Sequence, residues 1–118
     1  MDYTDASTAL IMAVPEATPG YDRLKDLYGD EEPGPTVVYE GCLKPLLISI
    51  AIDGSEADLQ RVFGFLESLS NDENWKVREL VRFSVYDLCR NSSALKKAIP
   101  FIGPETKKIC DLVMREFV

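Results

Sequence analysis

The 118-residue chain contains no histidine. That one absence excludes Ser-His-Asp triads, Cys-His dyads and histidine-built metal centres. A phosphate-cradling loop is missing as well, because residues 29–34 place acids where such a loop needs open amides and a lysine. Of the three cysteines, Cys42, Cys89 and Cys110, none forms a Cys-x-x-Cys pair, and an odd number cannot be fully paired within one chain. Lying in apolar helical patterns, they read as reduced core thiols of a cytosolic protein. No basic leader opens the chain: Met1-Asp2-Tyr3-Thr4-Asp5 is acidic where a signal peptide is basic, and the apolar run from Ala9 to Val14 is short. No stretch approaches the ~20 apolar residues needed to span a bilayer. The expectation is a soluble, cytoplasmic monomer that uses no metal or cofactor and does not associate with membranes.

What remains is charge, unevenly divided. Residues 1–60 hold 12 acids against 3 bases and residues 61–118 hold 8 against 10, within a net charge of −7. A basic track for nucleic acid is therefore not expected, since phosphate neutralisation needs a basic surface. An acidic leading half on a small domain points instead to a positively charged partner. Paired carboxylates offer the other chemistry: Asp22 and Asp26 share a helix face at i, i+4, but no second pair stands at a suggestive spacing.

The periodicity is helical throughout. Residues 3–14 carry Leu10, Ile11 and Val14 at helical spacing, and Pro15 stops the segment. Thr18-Pro19 starts another helix, with Thr18 as the expected N-cap; Tyr21, Leu24 and Leu27/Tyr28 form its apolar face and Gly29 ends it. Residues 30–35, Asp-Glu-Glu-Pro-Gly-Pro, form a surface loop. Residues 36–52 are apolar on nearly every side. This pattern predicts a central helix buried all round and bent at Pro45, with two strands at Thr36–Glu40 and Leu46–Ile52 as the alternative. Ser55-Glu56-Ala57-Asp58 has the form of a capping box. Leu59, Val62, Phe63, Leu66 and Leu69 follow as one stripe. The run Ser70-Asn71-Asp72-Glu73 is expected to cap the next helix, whose face holds Val77, Leu80, Val81, Ser84, Val85 and Leu88, widened by Phe83 and Tyr86. Asn91 opens a short helix, and Gly103-Pro104 opens a last one in which Ile109, Leu112, Val113 and Phe117 share a face. The expected fold is all-α: one domain over residues 1–118, a compact bundle of about six helices with an antiparallel hairpin.

The hairpin carries a resemblance. Residues 58–89, above all Asn71-Asp72-Glu73-Asn74-Trp75-Lys76-Val77-Arg78-Glu79-Leu80, resemble a HEAT/armadillo-type helical repeat, in which a polar Asp-containing turn precedes Val-Arg at the start of the second helix. With its N-terminal helix ending in Val14-Pro15-Glu16 and an acidic turn before Val37-Val38, the chain is similar to the small, acidic, all-helical immunity proteins of bacterial toxin–immunity systems. The resemblance implies a protein that masks a cognate toxin, without catalysis. Contact residues vary from pair to pair in such proteins, so none carries over. Many such toxins are nucleases with basic clefts, and a cleft built for phosphates also attracts carboxylates. The expected partner-binding residues are thus Asp26, Asp30, Glu31, Glu32 and Glu40, with Asp53, Glu56 and Asp58 at the later turn, and Trp75. Trp75 is either an exposed anchor or an apolar plug at the end of the hairpin. A HEAT-like adaptor is the alternative, with Trp75, Phe83 and Tyr86 exposed together. An enzyme would instead need a pocket holding Asp22, Asp26 or a cysteine with perturbed titration.

Overall fold

The computed structural model describes residues 1–116. Among them the structure is all-helical, with seven helices where about six were expected. They are α1 (Ala6–Ala13), α2 (Thr18–Tyr28), α3 (Pro35–Asp53), α4 (Glu56–Ser70), α5 (Trp75–Cys89), α6 (Ser92–Ala98) and α7 (Pro104–Arg115). Short 3-10 turns at Tyr3–Asp5, Pro15–Ala17 and Ile99–Phe101 link or extend them.

The organising element is α3. It packs against α2, α5 and α6, with α1 and α4 at its margins. Its middle, Tyr39–Leu43, is a π-helical turn in which the Lys44 amide donates to the Tyr39 carbonyl. One α-helical residue turns the chain by about 100°. The extra residue of the π turn therefore swings Leu47, Ile50 and Ala51 back to the side already occupied by Val38, Tyr39 and Cys42, and all six are buried. This corrects the expectation of a helix buried all round: Val37, Glu40, Gly41, Ser49 and Ile52 are exposed. The even spread of apolar residues came from counting at 3.6 residues per turn through a segment that contains an insertion. Pro45 has no amide donor, and it sits directly after the turn where the hydrogen-bond ladder has already changed register. By length and composition α3 could cross a membrane, contrary to the sequence expectation; here its buried side is covered by other helices of the same chain.

Several junctions formed as expected. Ser55 and Asp58 make a reciprocal capping box on α4, and Asn91 caps α6. Gly29 ends α2 at φ 62°, a conformation that a side chain would strain. Two caps differ. Thr18 is already helical, because the 3-10 turn before it runs straight into α2 and leaves no extended residue to act as N-cap. At α5 the cap is Asn74, whose side chain accepts from the Lys76 amide; Asp72 accepts from Asn74 and so braces the turn one step earlier. The last helix also departs from its expected face, since Leu112 is half exposed. Phe117 lies outside the described residues.

The start of α7 carries a junction that local sequence does not show. Glu67 on α4 accepts from the amides of Glu105 and Thr106 at 3.1 and 2.9 Å and from the Thr106 hydroxyl at 2.9 Å. It thus caps a helix nearly forty residues away. A Cβ on Gly103 would stand 2.4 Å from the Glu67 carboxyl carbon, so a side chain there would push the carboxylate off the helix end. Partial burial opposes ionisation of Glu67, but the amides of Thr106 and Glu105, with the Thr106 and Asn71 side chains, outweigh it and hold the carboxyl below its usual range. Glu67→Ala is expected to lower stability by about 1–3 kcal/mol in urea unfolding. Because the folded-state pKa is depressed, this contribution is complete above the ordinary carboxylate range and disappears as pH falls through the lowered value. Glu67→Gln should therefore flatten that part of the acid limb, and an unchanged limb would contradict the assignment.

Candidate functional site

Among the described residues, eight of the 20 acids take part in ion pairs or helix caps within the bundle. Arg61 on α4 donates to both Glu16 carboxylate oxygens at 3.1 and 2.5 Å, to Asp58 at 3.1 Å and to the Ala13 carbonyl at 2.9 Å, tying the end of α1 to α4. The guanidinium hydrogen bond is the main cause of a lowered Glu16 pKa. Arg82 joins Glu79 at 2.8 Å and also pairs with Glu116. Asp72 meets the Met1 ammonium at 3.2 Å, Asp22 meets Lys25 at 3.7 Å and Glu105 meets Lys108 at 2.9 Å.

The expected contact residues fall into two groups at opposite ends of α3. Asp26, in the last turn of α2, and Asp30, Glu31 and Glu32, in the loop before α3, are all exposed. Among the described residues none of these four forms an ion pair. Glu40 is exposed one turn into α3. Asp53 and Glu56 are exposed as well, but they lie at the far end of a 19-residue helix, about 27 Å along its axis. Asp58 is committed to the capping box and to Arg61. One acidic surface spanning both groups is not what the structure presents. It presents a compact one, residues 26–32, and a separate turn at 53–58.

Two apolar residues join the first group. Leu27 is 83% exposed and Tyr28 is 38% exposed, although both were placed on the buried face of α2. No residue of α2 is fully buried; the helix leans on the core through Tyr21 and Leu24 and leaves its last turn in solvent. Leu27 and Tyr28 thus stand between Asp26 and Asp30. An exposed apolar pair set among unpaired charges has the composition of a protein contact patch, an apolar centre with a polar rim. The sequence contained this signal in Leu27-Tyr28-Gly29 followed by acids, but helical periodicity assigned the pair to the core.

Trp75 is 63% exposed, which makes it a surface residue and removes the plug reading. It lines an open depression with Tyr3, Thr36, Lys76, Glu79 and Phe83. A second depression continues along the same side of α5, lined by Glu40, Lys44, Arg82, Phe83, Tyr86 and Glu116. The two make a shallow groove between the outer faces of α3 and α5, and its Thr36 end is four residues from Glu32.

The cysteines are free and buried. Burial raises the Cys42 pKa, with Arg23 pulling the other way, which leaves a poor nucleophile in a shallow depression formed with Gly20, Arg23, Leu24, Leu27 and Gly41. Cys89 on α5 and Cys110 on α7 interact: proton sharing pulls Cys89 down while the same contact and burial push Cys110 up. Asp22 and Asp26 line none of the described depressions. No group of three metal-ligating side chains occurs among the described residues.

A family model described as a domain of unknown function, DUF7674, matches residues 8–116. Neither the curated proteins nor the solved structures contain a match. The chain has a single tryptophan, so the exposure of Trp75 can be read directly. Acrylamide is expected to quench its emission almost as efficiently as it quenches free indole, and shielding typical of a core tryptophan would contradict the groove geometry.

Proposed function

The chain belongs to the DUF7674 family, and we propose that it is an immunity-type protein that binds a cognate basic toxin, a nuclease in the first instance, and neutralises it by covering the active site. In this reading the protein acts in the cytoplasm as a monomer, without catalysis of its own and without a cofactor. The observation that carries it is the run of acids beside an exposed apolar pair at the end of α2. Glu16, Asp58, Glu67, Asp72, Glu79 and Glu116 are spent on internal ion pairs or helix caps. Among the described residues Asp26, Asp30, Glu31 and Glu32 form no ion pair, as is also true of Asp2, Asp5, Glu40, Asp53, Glu56, Glu73, Asp87 and Asp111, and these four lie beside exposed Leu27 and Tyr28. Unpaired charge accelerates encounter with an opposite surface, and an apolar pair at its centre holds the docked state.

Charge and apolar contact divide the work by rate. Carboxylates at the rim act mainly on association, whereas loss of Leu27 or Tyr28 acts mainly on dissociation. The 53–58 turn, at the other end of α3, has no part in the same footprint unless the partner reaches along the whole domain.

The groove of Trp75, Phe83 and Tyr86 favours a second reading, a HEAT-like adaptor that receives a protein segment between α3 and α5. The two readings separate by mutation. With the product of the neighbouring gene as partner, reversing Asp30, Glu31 and Glu32 to Lys is expected to slow association by about tenfold or more. The same change should leave the urea midpoint in place, since these side chains make no ion pairs among the described residues. It should also abolish protection of cells that express the partner. An adaptor would instead tolerate the reversal.

A further inference from the structure

We infer that the depression beneath Trp75 is a receptor for the guanidinium group of an arginine on the protein's basic partner. This rests on the reading of the protein as a binder of such a partner and names the group that anchors it. Three aromatic side chains, Tyr3, Trp75 and Phe83, line one open depression of about 360 Å³ together with Thr36, Lys76 and Glu79. Helix α5 supplies Trp75, Glu79 and Phe83 at i, i+4 and i+8, a spacing that puts them on one face. The opposite wall is Tyr3. Its hydroxyl lies 2.6 Å from the Thr36 hydroxyl and accepts from the Thr36 amide at 3.2 Å, which fixes the ring at the start of α3.

The chemistry of this wall selects a cation. Aromatic faces are electron-rich and attract positive charge, arginine most often. The Trp75 ring already draws one, with the Lys76 ammonium 6.0 Å from its centroid. Glu79 supplies a carboxylate, one oxygen of which is paired with Arg82 at 2.8 Å, and a carboxylate has acceptor sites for a second donor. Acids stand around it: Asp2 and Asp5 lie near Tyr3, Glu73 precedes Trp75 by two residues and Glu32 precedes Thr36 by four, all of them exposed. Lys76 is on the wall itself, and Arg78 and Arg82 lie on the far side of Trp75 and Glu79, where Arg78 is held by the Asp72 and Glu73 carbonyls and Arg82 by Glu79. Between a lysine and an arginine of the partner, the geometry favours arginine. A planar guanidinium can stack on Trp75 or Phe83 while its edge donates to Glu79, and an ammonium cannot do both.

The test uses the purified protein and its single tryptophan. The peptide acetyl-Gly-Arg-Gly-amide is titrated against Trp75 fluorescence at constant ionic strength, beside the same peptide carrying citrulline, a neutral isostere of arginine. The arginine peptide is expected to give a saturable change and to bind about tenfold more tightly than the citrulline peptide. Phe83→Ala and Glu79→Gln should each weaken it by about fivefold or more. Glu116 still holds Arg82 when Glu79 is neutralised, and circular dichroism establishes that each variant is folded, so one variant suffices if the other fails to fold. Equal affinity for the two peptides, the absence of a saturable response, or folded variants that bind as the wild type does would overturn the proposal. None of these results bears on Asp30, Glu31 and Glu32, whose reversal tests acidic docking separately.

Discussion

Everything in this domain is arranged around the one-sided burial of α3. The helix is apolar enough to be driven out of water along most of its length, yet it can cover only one side against its neighbours. The π turn at Tyr39–Leu43 reconciles these demands by inserting one residue, so that Val38, Tyr39 and Cys42 above it and Leu47, Ile50 and Ala51 below it face the same way. Tyr39 closes the arrangement, its buried hydroxyl donating to the Ala6 carbonyl at 2.7 Å and joining α3 to α1. With α3 fixed, α5 and α6 pack along it, α2 leans on it, and the loop before it is held at the surface. The outer face of α3, carrying Thr36, Glu40 and Lys44, becomes one wall of the groove.

Polar groups then settle where each element ends. Arg61 clamps the end of α1 to α4, Glu67 holds the start of α7, and Asn74 and Asp72 shape the turn that exposes Trp75. These roles account for the internally paired acids. A surplus of negative charge opposes folding through self-repulsion, and the bundle offsets part of it with an arginine, a lysine or a helix amide. Among the acids without an ion pair in the described residues, Asp26, Asp30, Glu31 and Glu32 stand next to exposed Leu27 and Tyr28, so that charge and apolar surface meet at the end of α2.

Much of this was legible in the sequence where local chemistry decides the outcome. The stripe from Leu59 to Leu69 and the capping box at Ser55 mark α4, Asn91 and Gly29 mark ends, and the loop at residues 30–34 is marked by its prolines and acids. What the sequence hid depends on distant partners. Glu67 looks like an ordinary surface acid until α7 is placed against it. Leu27 looks like core until α2 proves too peripheral to bury its last turn. The π turn cannot be seen by a count that assumes a constant 3.6 residues per turn. The expected contact residues do not share one surface: residues 26–32 form a group, Trp75 borders the groove near it, and Asp53, Glu56 and Asp58 lie at the other end of α3.

The claim that joins fold to function is that charge left unpaired at one end of the bundle draws in a cationic partner. The most direct measurement is the association rate with the basic toxin domain proposed as its partner, followed as salt rises through the range in which screening shortens to about 10 Å and below. The account predicts an association rate that falls steeply with ionic strength while the dissociation rate stays nearly constant. An association rate indifferent to salt would contradict it, and would leave the acids of residues 26–32 as nothing more than a solvated loop.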